Sequence, residues 1–209
     1  MEESNNMIEK LAGYNLMNDG SFINYLKQFN GYIAGSAALF PFISHLYPSC
    51  EEQEGDLDIW VQISTDKEDK SFPYSKDVRD TLCNYFSDNG YVNNPMIDRY
   101  SASPNAIQYF ENTRFNNLIE KIYEFKSTHL NKKIQLILTK VSKEEILKSF
   151  DLSFCAVSWD GDNFFALEPE LTKQKKGYYL NDPIGEREEK RKDKYLVKGF
   201  EITEYVDLW

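Results

Sequence analysis

The chain is poor in the residues that build disulfide-bonded or zinc-bound domains. Its 209 residues include three cysteines, Cys50, Cys83 and Cys155, and two histidines. The cysteine count is odd and no two cysteines form a CxxC pair, so we expect free thiols in a reducing compartment. The histidines, His45 and His129, are far apart in sequence. They indicate neither a zinc site nor a catalytic triad.

The sequence also lacks long hydrophobic runs and an excess of positive charge. No stretch approaches the roughly 20 apolar residues of a membrane span, and the first residues are acidic and polar, unlike a secretory signal. Lysine and arginine total 24 against 34 acidic residues, which gives a net charge of −10 and a pI of about 4.8. Such a chain repels phosphates at long range, unless a local basic face overcomes the repulsion. We therefore expect a cytoplasmic protein with no membrane partner.

What the chain does have is enough apolar residues for a sizeable core, since 41% are hydrophobic and 15% aromatic. The length suits one domain with a small addition. There is no internal repeat and no dinucleotide-binding glycine fingerprint. We predict an α+β (α/β-like) domain over 1–170, with a mixed β-sheet flanked by helices. A charged helical extension over 171–209 is expected to pack on the same domain.

The predicted elements follow from hydrophobic periodicity and turn residues. Ser142 and Glu145 form a capping box that predicts the start of a helix. The full set comprises helices within 4–29, Ser36–Tyr47, Asp77–Ser87, Ser142–Ser149 and Gly185–Lys198, and strands Tyr32–Ala34, Leu57–Ile63, Ile119–Lys126, Lys133–Thr139, Asp151–Trp159 and Phe164–Leu167.

Asp56 and Asp58 are the first candidate site residues. In a β-strand, residues i and i+2 point to the same face, so these two carboxylates lie side by side while Leu57 and Ile59 face a core. Two adjacent carboxylates repel each other, which raises one pKa unless a cation intervenes. Oxygen ligands of this kind suit Mg²⁺. The spacing therefore indicates a metal site, although charged residues are also common at ordinary strand ends.

Gly35 and Ser36 form the second feature, between a short apolar strand and a helix. Glycine lets the backbone approach a phosphate closely, and a helix that begins there directs free N–H groups at an anion. The Ser36 hydroxyl can donate to a phosphate oxygen. The alternative is a tight strand-to-helix turn capped by serine.

Asp151 is the third feature, at the entry to the apolar segment Leu152–Phe154. Taken with Gly35–Ser36 and Asp56-x-Asp58, this segment resembles the nucleotidyltransferase superfamily of the DNA polymerase β type. The nearest likeness is to the catalytic domains of poly(A) and terminal uridylyl polymerases, and it spans roughly residues 20–167.

The resemblance implies a nucleotidyltransferase fold that binds two Mg²⁺ ions, or Mn²⁺, and a nucleoside triphosphate, ATP being the first choice. Asp56 and Asp58 would bind both metals and Asp151 the one that activates the acceptor. The implied reaction moves a nucleoside monophosphate to a hydroxyl of an RNA 3′ end, a tRNA, a small molecule or a protein, and releases pyrophosphate.

Two departures from the family pattern stand out. An insertion over 41–55 separates Ser36 from Asp56. Gln135 occupies the place where some branches of the family carry their third acid, so either Asp151 or the position of Gln135 supplies the third ligand site.

The main basic stretch lies near the carboxyl terminus. Arg187, Arg191 and Lys194 fall on one face of the predicted helix and are candidate contacts to a triphosphate or an RNA backbone. The alternative is a solvated helix whose basic residues pair with neighbouring acids.

Two other functions remain open. The chain could be a catalytically inactive nucleotide- or RNA-binding module with the same fold, or an interaction subunit that uses its acidic surface. The oligomeric state is not predicted.

Overall fold

A computed structural model describes residues 2–17, 20–47, 56–94, 118–181 and 186–203. The helices within these ranges are α1 (Glu2–Gly13), α2 (Ser21–Gln28), α3 (Ser36–Ile43), α4 (Ser75–Asp88), α5 (Lys143–Lys148), α6 (Pro169–Lys173) and α7 (Glu186–Leu196). The strands are β1 (Tyr32–Ala34), β2 (Leu57–Gln62), β3 (Tyr91–Asn94), β4 (Ile119–Ser127), β5 (Lys133–Thr139), β6 (Val157–Trp159), β7 (Phe164–Ala166), β8 (Lys176–Tyr178) and β9 (Glu201–Thr203).

The main sheet has seven strands in the order β3-β4-β5-β2-β1-β6-β7. The pair β2 and β5 is parallel, and the other neighbours are antiparallel. Strands β8 and β9 form a separate parallel pair. The fold class is therefore α+β with a mixed sheet, as the sequence predicts, while the more specific nucleotidyltransferase fold stays a prediction.

The sheet is buried on both faces, because its strand residues alternate between two apolar clusters. Leu57, Ile59 and Val61 of β2 pack in one cluster with apolar residues of α1, α2 and α4. Trp60 lies in the other, with residues of α3, α5 and α7. The period of two in β2 thus places Asp58, like Trp60, toward the side of α3 and α7.

The capping box predicted for α5 is confirmed. The Ser142 hydroxyl accepts from the Glu145 N–H at 3.3 Å, and the Glu145 carboxylate accepts from the Ser142 N–H at 3.0 Å. This reciprocal pair satisfies two N–H groups at the start of the helix.

One predicted strand, Asp151–Trp159, is wrong in its first half. Ser153–Cys155 form a turn of 3₁₀-helix, and the strand begins at Val157. The Ser153 hydroxyl accepts from the Tyr178 N–H at 3.1 Å, so contacts with a later segment override the strand pattern. Asp151 consequently lies before a turn and not in the sheet.

Within the described ranges, no helix is long and apolar enough to cross a membrane.

Candidate functional site

Asp56 and Asp58 lie where β2 begins, at one edge of the sheet. The parallel pairing of β2 with β5 makes Gln135 the direct partner of Asp58. The Gln135 side-chain amide donates to Asp56 Oδ2 at 3.2 Å. The three side chains therefore share one face, and Gln135 is the neutral neighbour of both acids.

Burial and mutual repulsion raise the pKa of Asp58 to about 7. Burial is the larger cause, the charge of Asp56 adds to it, and the positive charge of Arg191 acts in the opposite direction. An acid whose pKa lies this high holds a proton near neutral pH unless another cation approaches. A cation bound between Asp56 and Asp58 would relieve their repulsion and lower the pKa of Asp58.

A further acid, Glu124, extends the row of polar side chains across β4. It is the direct partner of Gln135, so Asp58, Gln135 and Glu124 stand side by side on three neighbouring strands. Glu124 is 6% exposed, and its carboxylate lies 3.6 Å from the ammonium of Lys126 and 4.0 Å from that of Lys133. The sequence did not single out this residue. The available signal was one acid between the aromatic residues Tyr123 and Phe125.

Gly35 and Ser36 lie at the same edge of the sheet as the two aspartates. Antiparallel pairing of Ile33 with Ile59 places the end of β1 beside the start of β2. Gly35 has φ 74° and ψ −148°, a backbone conformation that essentially only glycine adopts. Its carbonyl accepts from the N–H groups of the first turn of α3.

The Ser36 hydroxyl is partly exposed and makes no hydrogen bond within the ranges described. Ser36 is also the first residue of α3, where backbone N–H groups have no partner one turn earlier in the helix. The strand-to-helix turn is therefore formed as predicted. Its polar groups lie at the same edge of the sheet as Asp56 and Asp58, which we call the aspartate edge.

Asp151 is 8% exposed, and its partner is Arg191. One guanidinium nitrogen, Nη1, lies 2.9 Å from Oδ1 and 2.8 Å from Oδ2 of Asp151. Asp151 Oδ1 also accepts from the Leu152 N–H at 3.1 Å. Two residues that the sequence assigns to different roles, a metal ligand and a phosphate contact, thus form an ion pair.

Helix α7 is held beside this ion pair by aromatic packing. Tyr195, one turn after Arg191, stacks on Phe40 of α3 with ring centroids 6.4 Å apart and meets Phe154 edge-on at 4.9 Å. Lys194 is exposed on the same helix, and its ammonium lies 5.9 Å from the Tyr195 ring centroid. The side chain of Arg187 lies outside the described residues.

The donor set fits a divalent cation in part. Asp56 and Asp58 supply two hard oxygen ligands and a repulsion that a cation would relieve. In the described part of the chain, no group of three His, Cys, Asp or Glu side chains is arranged to hold a metal ion. The structure thus brings together Asp56, Asp58 and Gln135, while Asp151 is paired with Arg191, whose positive charge acts on Asp58.

No protein-family model matches the chain, and no curated protein matches it.

Proposed function

We propose that the protein is a nucleotidyltransferase that uses Mg²⁺, or Mn²⁺, and a nucleoside triphosphate, with ATP as the first candidate. The observation that carries the proposal is the position of Asp56 and Asp58 beside the Gly35–Ser36 turn. An acidic pair suited to cations and a strand-to-helix turn suited to phosphate lie at one sheet edge. Metal-bridged triphosphate requires both features together.

In the proposed reaction, an acceptor hydroxyl attacks the α-phosphorus of the triphosphate. The new bond joins the acceptor oxygen to the α-phosphorus, and the bond from the α-phosphorus to the oxygen that bridges the α- and β-phosphates breaks. That oxygen leaves with pyrophosphate, and the acceptor proton passes to a base. Bound cations supply charge stabilisation for the attacking and leaving oxygens. The acceptor is an RNA 3′ end, a tRNA, a small molecule or a protein side chain.

The residues divide into three roles in this proposal. Asp56 and Asp58 hold the cations. Ser36 and the first N–H groups of α3 bind phosphate oxygens. Asp151 orients the acceptor hydroxyl and helps to take its proton, which requires Arg191 to leave its carboxylate.

We place the protein in the cytoplasm. Of the cysteines that the structure describes, Cys83 and Cys155 are free thiols, as a reducing compartment favours.

The test is an incubation with Mg²⁺, labelled triphosphates and a mixture of RNA, tRNA and small-molecule acceptors. We expect label transfer and pyrophosphate release by the wild type, loss of both in Asp58→Asn, and full activity in Asp88→Asn. Asp88 is the matched control because it is an exposed aspartate at the end of α4. Equal behaviour of wild type and Asp58→Asn would refute the proposal.

A second function, a non-catalytic nucleotide-binding module, is favoured by one observation. The residue opposite Asp58 is the neutral Gln135, and Asp151, the third acid predicted from the sequence, is paired with Arg191. This function predicts metal-dependent binding of ATP with no pyrophosphate release. Calorimetry with ATP, run alongside the transfer assay, distinguishes the two.

A further inference from the structure

A cleft of about 450 Å³ lies at the opposite edge of the sheet from Asp58. It opens where β1 begins, β2 ends and α5 begins, and the turn between β6 and β7 closes one side. Its polar lining consists of two acids, Asp160 and Asp162, and of Lys27, Asn30, Tyr32, Gln62, Lys143 and Asn163. The volume falls in the range of small-molecule sites, about 300–1,000 Å³.

Tyr32 forms part of the wall and is 2% exposed. Its hydroxyl is buried and has no hydrogen-bond partner among the described residues. A buried polar group left unpaired destabilises the folded state, whereas a phenylalanine would fill the same space without that penalty. The hydroxyl is explained if a molecule in the cleft bonds to it.

Lys143 supplies a positive charge on the same wall. Its ammonium lies 5.8 Å from the ring centroid of Tyr32 and 5.7 Å from that of Phe165, which is 43% exposed. None of the ion pairs found among the described residues includes it. By contrast, Lys27 is already paired with Asp162 at 2.7 Å.

The remaining polar groups are donors and acceptors suited to a hydrogen-bonding ligand. The side-chain amides of Asn30 and Asn163 make no hydrogen bond within the described ranges. Both acids of the lining already have partners. Asp162 pairs with Lys27, and Asp160 Oδ1 accepts from the N–H groups of Asp162 and Asn163 at 3.1 and 2.9 Å. The free groups are thus one ammonium, two amides and one phenol.

We propose that this cleft binds a small organic anion, whose phosphate or carboxylate group pairs with Lys143 and whose other oxygens bond to Asn30, Asn163 and Tyr32. The inference is independent of nucleotidyl transfer, because none of these residues belongs to the aspartate edge. A ligand bound here would contact Tyr32, whose strand partner Trp60 lies two residues from Asp58 along β2.

The test is a titration of the 209-residue protein with inorganic phosphate, AMP or succinate. Binding is measured by calorimetry and by the shift in the unfolding temperature. Phosphate and AMP binding identify a phosphate ligand, and succinate binding a carboxylate ligand. We expect at least one probe to bind below about 10 mM and to raise the unfolding temperature. Absence of binding by all three would overturn the proposal.

Variants localise the binding. Lys143→Met should weaken it about tenfold, as expected for loss of a charge-assisted bond. Lys148→Met is the matched control, because Lys148 lies in the same helix and pairs with Glu144 at 2.6 Å. Equal effects of the two lysine variants would also overturn the proposal.

Tyr32→Phe tests the hydroxyl. It should leave the ligand-free protein at least as stable as the wild type while it weakens binding of the same probe severalfold. Unchanged affinity in this variant would contradict the role of Tyr32. Asp58→Asn should bind the probe like the wild type, which separates this cleft from the proposed transferase site.

Discussion

Arg191 holds both carboxylate oxygens of Asp151 through a single guanidinium nitrogen, at 2.8 and 2.9 Å, although the two residues are 40 positions apart in sequence. The contact ties α7 to the segment before β6. It also neutralises an acid that the sequence assigns to a metal. If Asp151 takes part in the proposed reaction, this ion pair must break, so its strength bears directly on the mechanism.

A double-mutant cycle with Asp151→Asn and Arg191→Met measures the strength of this ion pair. Removing one partner leaves a buried polar or charged group, so each single variant should lose stability. Because Arg191 is 39% exposed, solvent screening reduces the interaction, and we expect a coupling energy of about 1–2 kcal/mol in urea unfolding. The exposed pair Arg79–Asp80 serves as a control and should couple by about 0.5 kcal/mol. Similar coupling energies for both pairs would show that the Asp151–Arg191 ion pair stabilises the fold no more than an exposed pair does.

Asp58→Asn should change how stability depends on pH in the absence of metal. The folded pKa of about 7 lies above the ordinary value of 3.8, so between them the folded state binds more protons than the unfolded state. The free energy of unfolding of the wild type therefore falls as pH rises from about 4 to about 7, because Asp58 must ionise in the folded state. Relative to wild type, Asp58→Asn should gain up to about 4 kcal/mol between about pH 4 and pH 8. Unfolding of both proteins in EDTA across this range provides the measurement, and parallel curves would contradict the shift.

Gln135→Glu should create a three-carboxylate edge, because position 135 is the direct partner of Asp58. Without metal, the added charge should destabilise the protein near neutral pH through repulsion. With Mn²⁺, the same charge should tighten binding about tenfold, measured by calorimetry. Gln62→Glu, at the far end of β2, is the control and should leave Mn²⁺ affinity unchanged. Weaker Mn²⁺ binding by Gln135→Glu would argue against a cation at this edge.

Gly35→Ala should destabilise the strand-to-helix turn. An added Cβ has space, since its nearest neighbour would be Phe150 at 3.8 Å, but the φ of 74° is unfavourable for alanine. We expect a loss of about 1–3 kcal/mol in the free energy of unfolding. Gly13→Ala, where the added Cβ meets nothing within 4 Å, should be neutral or slightly stabilising. Equal stability of the two variants would mean that the Gly35 backbone is not constrained.

The sequence predicts those parts of the fold that depend on local patterns. Alternation of Leu57, Ile59 and Val61 identifies β2 and its buried face, and the Ser142–Glu145 capping box identifies the start of α5. Both signals come from residues within a few positions of one another.

The parts that escape prediction depend on contacts between distant segments. The 3₁₀ turn at Ser153–Cys155 replaces a strand because Ser153 bonds to Tyr178, 25 positions later. The register that sets Gln135 against Asp58, and the row that includes Glu124, arise from the pairing of strands that lie far apart in sequence. Local propensity carries no information on such pairing.

The most direct test is a titration with Mn²⁺ in the presence of a non-hydrolysable ATP analogue, with bound Mn²⁺ measured by electron paramagnetic resonance. Binding of Mn²⁺ by the wild type, with loss of that binding in Asp56→Asn and Asp58→Asn and retention in Asp88→Asn, is the predicted result. Failure of the wild type to bind Mn²⁺, or equal binding by Asp58→Asn, would contradict the assignment of a metal–triphosphate site to this edge of the sheet.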